Sequence, residues 1–304
     1  MSGARRTLAL VLASAVLAGT GCSAGGSDQP VIVVTTNILG DVVENVVGDE
    51  ADVRVLMQPN ADPHSFEVSA QDGAMMRTAD LIVTNGLGLE EGLQRHIDSA
   101  QAADVPVLVA GDLIEALDYD DGESAGTPDP HFWTDPTLVA DVVDGVEERA
   151  AAIDGVDPAA IEASADDYRA ELAGLDDAMS DAFAAIPASR RNLVTNHHVF
   201  GYLAARYDFR VIGAVIPGGT TLASPSASDL RDLVAAIEEA QVNTIFAESS
   251  QPDRLVQVLA DGADIEVDVV ELFTESLTNP GEGADTYLTM MRANTERISA
   301  GLSP

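Results

Sequence analysis

Short apolar runs alternate with longer amphipathic stretches along most of this chain. Val31 to Val34, Asp52 to Leu56, Leu81 to Val83 and Val105 to Val109 are brief, rich in β-branched side chains, and read as strands. Between them, Ile38 to Val47 and Ser69 to Thr78 repeat apolar residues at helical spacing. The pattern returns after residue 190, with strands near Leu193-Val194, Val211 to Val215, Thr244 to Phe246 and Val267 to Val270. Strands interleaved with helices predict an α/β fold with parallel sheets covered on both faces.

The join between the two halves differs in kind. Pro158 is a good first helical residue, and no proline follows until Pro187. Ile161, Ala165, Tyr168, Leu172, Leu175, Met179, Phe183 and Ile186 recur at spacings of three and four, which puts them on one stripe of a helix. At 1.5 Å per residue such a helix is about 43 Å long, and it reads as a rigid connector packed along two lobes rather than a coiled-coil arm. The expected organisation is an N-terminal lobe over residues 31–155, a connecting helix over 156–188 and a C-terminal lobe over 189–304.

Residues 1–21 carry two arginines, then an apolar run from Leu8 to Ala18, then small residues, as in a secretory signal peptide too short to stay as a membrane span. The chain's single cysteine, Cys22, follows directly. This is the layout of a bacterial lipoprotein signal, with Cys22 the lipidated first residue and 22–30 a flexible tether. It departs from the usual box in having Gly19 where a large aliphatic residue is common, and the alternative is ordinary cleavage nearby. The expected location is extracytoplasmic, anchored by lipid to the cell membrane. The body has no cysteine, which excludes disulfides and thiolate metal sites there.

Charge narrows the function further. Fifteen basic residues, all arginine, stand against 51 acidic ones for a net charge of −36, which excludes nucleic-acid binding through a basic surface. Most of these carboxylates are solvated surface. Histidine is scarce, with five in the chain, yet two sit in the same tripeptide, Asp62-Pro63-His64 and Asp129-Pro130-His131, and two more are adjacent, His197-His198. In open α/β sheets ligands bind where strands end and loops lead into helices. His64, His131 and His197 all follow predicted strands, and Glu275 follows the last one, ahead of a final helix expected from about Gly283. Three imidazoles and one carboxylate facing the interlobe cleft make a tetrahedral site suited to Zn²⁺, with Mn²⁺ also possible.

Leu56 to Glu67 (LMQPNADPHSFE), Asp129 to Asp135 (DPHFWTD), Thr195 to Tyr207 (TNHHVFGYLAARY), Phe246 to Ser250 (FAESS) and Glu271 to Leu277 (ELFTESL) resemble, collinearly, the zinc/manganese-binding receptors of bacterial ABC transporters, the cluster A-I solute-binding proteins. The resemblance implies a metal buried between two lobes, ligands His64, His131, His197 and Glu275, delivery of the ion to a cognate permease without chemical turnover, and a monomer. Glu275 is a departure, because the family commonly has an aspartate there. His197 looks like the zinc-type members, Mn²⁺ capture being the alternative within the class, and the loop Asp118 to Asp129 lacks the histidines that many of them carry. From another class, the same three histidines suit a zinc hydrolase. Glu275 argues against that by filling the open position such an enzyme needs. A lipoprotein that keeps metal only for rigidity is a third reading. His198 reads as a helix-start residue or a support for the ligand beside it, and Glu248 as a strand-end carboxylate that orients a ligand histidine through its other ring nitrogen. His96 reads as a surface residue, Tyr202 as core, and Phe66, Trp133 and Phe200 as packing that excludes water.

Overall fold

A computed structural model describes residues 29–119, 124–216, 218–250 and 254–303. The signal peptide, Cys22 and most of the tether therefore lie outside the described residues, as does the middle of the acidic loop. The N-terminal half runs β1 (Val31–Val34), α1 (Asn37–Val47), β2 (Asp52–Val55), α2 (Ala70–Met76), β3 (Leu81–Thr84), α3 (Gln94–Gln101), β4 (Val107–Val109) and α4 (Pro136–Ala150). Helix α5 (Pro158–Ala184) leads to β5 (Asn192–Thr195), α6 (Gly201–Tyr207), β6 (Arg210–Ala214), α7 (Ala227–Ala240), β7 (Thr244–Glu248), α8 (Arg254–Gly262), β8 (Asp268–Leu272) and α9 (Tyr287–Leu302).

The strands form two parallel sheets, ordered β2-β1-β3-β4 and β6-β5-β7-β8. Each sheet puts its first strand second from the edge, so the two halves repeat one topology. This is the two-lobe α/β fold that the alternation of runs predicts. Among the described residues no helix is long and apolar enough to cross a membrane.

Alternation along the strands sorts the core into layers. Ile32, Val34, Leu81 and Val83 face inward to a cluster that also takes in Leu193, Phe246 and Leu272 of the second sheet. Val33 and Ile82 face the other way, under α2 and α3. Val194, Ile245 and Ala247 do the same in the second lobe, under α7 and α8. The inner cluster is continuous because α5 supplies its spine: all eight residues of the stripe from Ile161 to Ile186 are buried, and α5 packs against α1, α4 and α9.

The ends of α5 follow from local chemistry. The Asp157 side chain accepts the Ala159 N–H at 3.0 Å, capping the start before Pro158. The helix stops at Ala184 rather than Ile186, because the residue before Pro187 is pushed out of helical geometry. The last helix likewise starts at Tyr287, later than Gly283, where Thr286 accepts the Thr289 N–H. Leu172 is 1% exposed at the middle of the spine. Leu172→Ala should therefore destabilise the protein by about 2–5 kcal/mol, read as a lower urea midpoint at unchanged slope.

Candidate metal centre

Each candidate ligand leaves the carboxyl end of a strand. His64 follows β2, His131 follows β4, His197 follows β5 and Glu275 follows β8. Their side chains meet between the sheets, with the four candidate ligand atoms all within 4.8 Å of one another. Glu275 Oε1 lies 3.0 Å from His64 Nε2, 3.1 Å from His131 Nε2 and 3.2 Å from His197 Nε2. His131 Nε2 is 3.4 Å from His64 Nε2 and 3.3 Å from His197 Nε2. All four residues are buried.

The repeated Asp-Pro-His tripeptide has one mechanical use in both places. Asp62 Oδ1 accepts the His64 backbone N–H, and Asp129 Oδ1 accepts that of His131, each at 2.9 Å. These turns fix the histidine backbone before its ring is aimed. In the second tripeptide Asp129 Oδ1 also takes the His131 ring at Nδ1, 2.7 Å away. Glu248 Oε1 holds His197 Nδ1 in the same way, and Asn196 fixes Glu248 by accepting its backbone N–H at 3.1 Å. A carboxylate on Nδ1 places the proton there and turns the Nε2 lone pair toward the centre.

Asp129 is further held by the far lobe. Tyr202 donates its hydroxyl to the Asp129 carbonyl at 2.7 Å and accepts the Leu117 N–H at 3.0 Å, so it does more than fill core. Gly201 lets the carboxylate approach, since a Cβ there would lie 2.6 Å from Asp129 Oδ2. On the near side, Glu90 is a buried acid that accepts the Thr35 hydroxyl and the backbone N–H groups of Asn85 and Gly86. Asn85 in turn donates to the Pro130 carbonyl at 3.0 Å, next to His131.

The electrostatics follow from burial and neighbours. Burial opposes the ionisation of Glu275, but the imidazoles, His197 foremost, outweigh it and hold the carboxyl well below the usual carboxylate range. Burial likewise opposes charge on His197, yet Glu248 and Glu275 raise it well above an ordinary imidazole. His131 is raised too, by Asp129 and then Glu275 acting against its burial. Burial pushes Glu248 up, against the pull of His197. Glu275 Oε2 is buried with no hydrogen-bond partner, so its second oxygen also faces a position that only a cation or water satisfies.

The remaining expected residues fall in three places. Trp133 sits edge-on to the His131 ring at 5.2 Å and donates its indole N–H to the Thr274 carbonyl, while Phe200 joins the inner core. Phe66 packs instead against the outer cluster under α2 and α3. His198 stays outside the four: its carbonyl accepts the Tyr119 hydroxyl at 3.4 Å, and its ring lies edge-on to Tyr119. His96 is half-buried, because its ring covers Gly73 between α3 and α2. A cleft of about 560 Å³ beside the site is lined by Tyr119, Asp129 and His198 among others, and by none of the four clustered residues. Asp129, Tyr119, Glu90 and Asn196 are the contributors missed from the sequence. Only Asp129 carried a signal, its place two residues before a candidate ligand histidine.

Two like lobes bridged by a single helix, with a nitrogen-rich cluster sealed between them, define a solute-binding protein. The chain belongs to the family described as zinc-uptake complex component A, periplasmic, whose profile matches residues 32–301. It is 30% identical over 309 residues to the zinc-binding protein TroA of Treponema pallidum (strain Nichols), covering 98% of each chain. It is 27% identical over 296 residues to the manganese-binding lipoprotein MntA of Halalkalibacterium halodurans, covering 97% of this chain and 96% of that one. Among solved structures, the periplasmic zinc-binding protein TroA from Treponema pallidum matches with a TM-score of 0.84 at 29% identity, over 91% of this chain and all of the other. The family resemblance read from the five segments is borne out, and so is the fold it implies.

The raised histidines set the direction of the pH response. A metal displaces protons from the imidazoles it binds, so affinity falls as pH drops, and raised values for His131 and His197 bring that fall in above the ordinary range near 6.5. Glu248→Gln should weaken zinc binding about 10–100-fold at neutral pH and move the onset of the fall to lower pH. Chelator-competition titrations between pH 5 and 8 on both proteins measure the two effects.

Proposed function

We propose that this protein is the extracytoplasmic receptor of an ABC transporter, capturing one Zn²⁺ with His64, His131, His197 and Glu275 and passing it unchanged to a membrane permease. The carrying observation is the spacing of the ligand atoms. Four donors at the 2.0–2.1 Å typical of zinc, arranged tetrahedrally, stand about 3.3 Å apart; five of the six separations run from 3.0 to 3.4 Å, and the sixth, between His64 and His197, lies within 4.8 Å. Three imidazole nitrogens favour zinc over manganese, which stands lowest in the general affinity order. Mn²⁺ is the second reading, and the free Oε2 of Glu275 favours it by offering a fifth oxygen-rich contact.

Capture rather than hydrolysis follows from the fourth ligand. A catalytic zinc keeps a position open for water, and Glu275 fills it here. On this reading the protein has no turnover of its own and hands its cargo to the permease. Cys22 tethers it to the membrane by lipid.

Mn²⁺ at equal concentration should fail to displace Zn²⁺ from the single site, and Glu275→Ala should bind Zn²⁺ more weakly while retaining some binding through the three histidines. Calorimetric competition tests both. Manganese displacing zinc would reassign the metal, and unchanged zinc affinity in the alanine variant would remove Glu275 from the ligand set. For the anchor, Cys22→Ser should move the mature protein from the membrane fraction to the soluble one with zinc binding intact, and persistence in the membrane fraction would remove the lipid.

A further inference from the structure

We propose that Tyr119 is a positioning residue for the captured ion, and that residues 218–221 of the opposite lobe are the seat into which it locks, forming a latch that sets how slowly the metal leaves. The proposal rests on the receptor reading above and adds to it the element that governs release.

Tyr119 stands on the loop that carries His131, in a segment pinned by its own backbone. Its N–H donates to the Thr127 carbonyl at 3.0 Å, and its carbonyl accepts the Gly126 N–H at 2.9 Å, beside the antiparallel bridge between Asp118 and Pro128. The ring crosses from this loop to the C-terminal lobe. There its hydroxyl meets Gly219 so closely that a Cβ at that position would lie 2.2 Å from the oxygen and 2.3 Å from Cζ. Only glycine admits the ring. Gly218 turns the seat with φ of 93°, and Ser124, from the tyrosine's own loop, accepts the Gly219 N–H at 3.4 Å.

The hydroxyl meets the proposed centre at His131 and the carboxylate behind it, lying 3.2 Å from His131 Nδ1. It donates to Asp129 Oδ1 at 3.1 Å, the same oxygen that holds His131 at Nδ1. Seating the ring on the far lobe therefore steadies the carboxylate that aims a ligand. The same C-terminal segment reaches the other ligand loop as well: Thr221 donates its hydroxyl to Asp62 Oδ2 at 2.6 Å, while Asp62 Oδ1 holds the His64 backbone. One short stretch thus touches both histidine loops of the N-terminal lobe. It does so through polar contacts, outside the apolar cluster built on α5. Contacts that exist only in the closed arrangement slow dissociation more than association.

The test is release of Zn²⁺ into excess chelator, followed in a stopped-flow instrument by the fluorescence of Trp133, the chain's single tryptophan, 5.2 Å from the His131 ring. Tyr119→Phe keeps the ring and removes the hydroxyl. It should speed dissociation about tenfold, the low end for a group that orients a metal ligand. Zinc should still bind one per chain, and the melting temperature of the metal-free protein should not change, which a purely structural role for Tyr119 would lower. Gly219→Ala should also speed dissociation by expelling the ring, and in a Tyr119→Ala background it should add nothing, because no ring is left to expel. Wild-type dissociation from Tyr119→Phe, or independent and multiplying effects at 119 and 219, overturns the latch while leaving the receptor reading intact. Wild-type protein that takes up no zinc overturns both.

Discussion

The apolar stripe of α5 is the constraint on which the rest depends. Ile161 through Ile186 bury one face of a single helix in a core shared by both sheets, so neither lobe has an interior of its own on that side. Moving the lobes apart as rigid bodies exposes this shared surface, at a cost of roughly 25 cal/mol for each Å² of apolar area. The carboxyl edges of the two sheets are therefore held facing each other before any ligand arrives. His64 and His131 from one lobe meet His197 and Glu275 from the other because the spine leaves them no other relative placement. Trp133 and Asn37 tighten the same junction: the indole N–H reaches the Thr274 carbonyl, and the Asn37 amide exchanges hydrogen bonds with Ser276 and Leu277.

Within that frame the decisive group is Glu275. A fully buried carboxylate is costly unless positive charge or hydrogen bonds compensate it, and its near neighbours here are three imidazole nitrogens. In the absence of metal, protons on His131 and His197, both raised above an ordinary imidazole, supply the compensation. A divalent cation supplies it better, since it meets all four donor atoms at once. Asp129 and Glu248 behind His131 and His197 serve both states, stabilising imidazolium when protonated and sharpening the Nε2 lone pair when metal is bound.

The elements of the fold were legible because their signals are local. Strand runs, the helical stripe from Ile161 to Ile186 and Pro158 at its start each depend on neighbours in sequence, and differences arose only at ends such as Ala184 and Tyr287, where a following proline or a capping hydroxyl decides. The clustered residues were legible for a related reason: the loops that leave the carboxyl ends of β2, β4, β5 and β8 run along the ligand-binding edge of each sheet. Their supports were harder to see. Tyr119 and Asn85 act through single hydrogen bonds to Asp129 and Pro130, and nothing in their own neighbourhoods marks them. Glu90 reads as one more surface acid among 51 until Thr35, 55 residues away, donates to it. His96 and Phe66 misled in the opposite sense, since their burial depends on where α2 lies.

The acidity of the chain and the scarcity of its histidines complement each other. A net charge of −36 raises the concentration of every cation near the surface and speeds encounter, but hydrated carboxylates discriminate poorly among divalent ions and hold them weakly. Discrimination requires donors of another kind, and three of the five histidines are committed to one point. A histidine-rich surface would compete with that point for zinc, and a neutral one would forgo the enrichment. Capture then becomes a descent from many weak oxygen sites to one nitrogen site. What distinguishes the last step is the loss of water from the ion, whose place the four donors of the proposed site, on His64, His131, His197 and Glu275, would take.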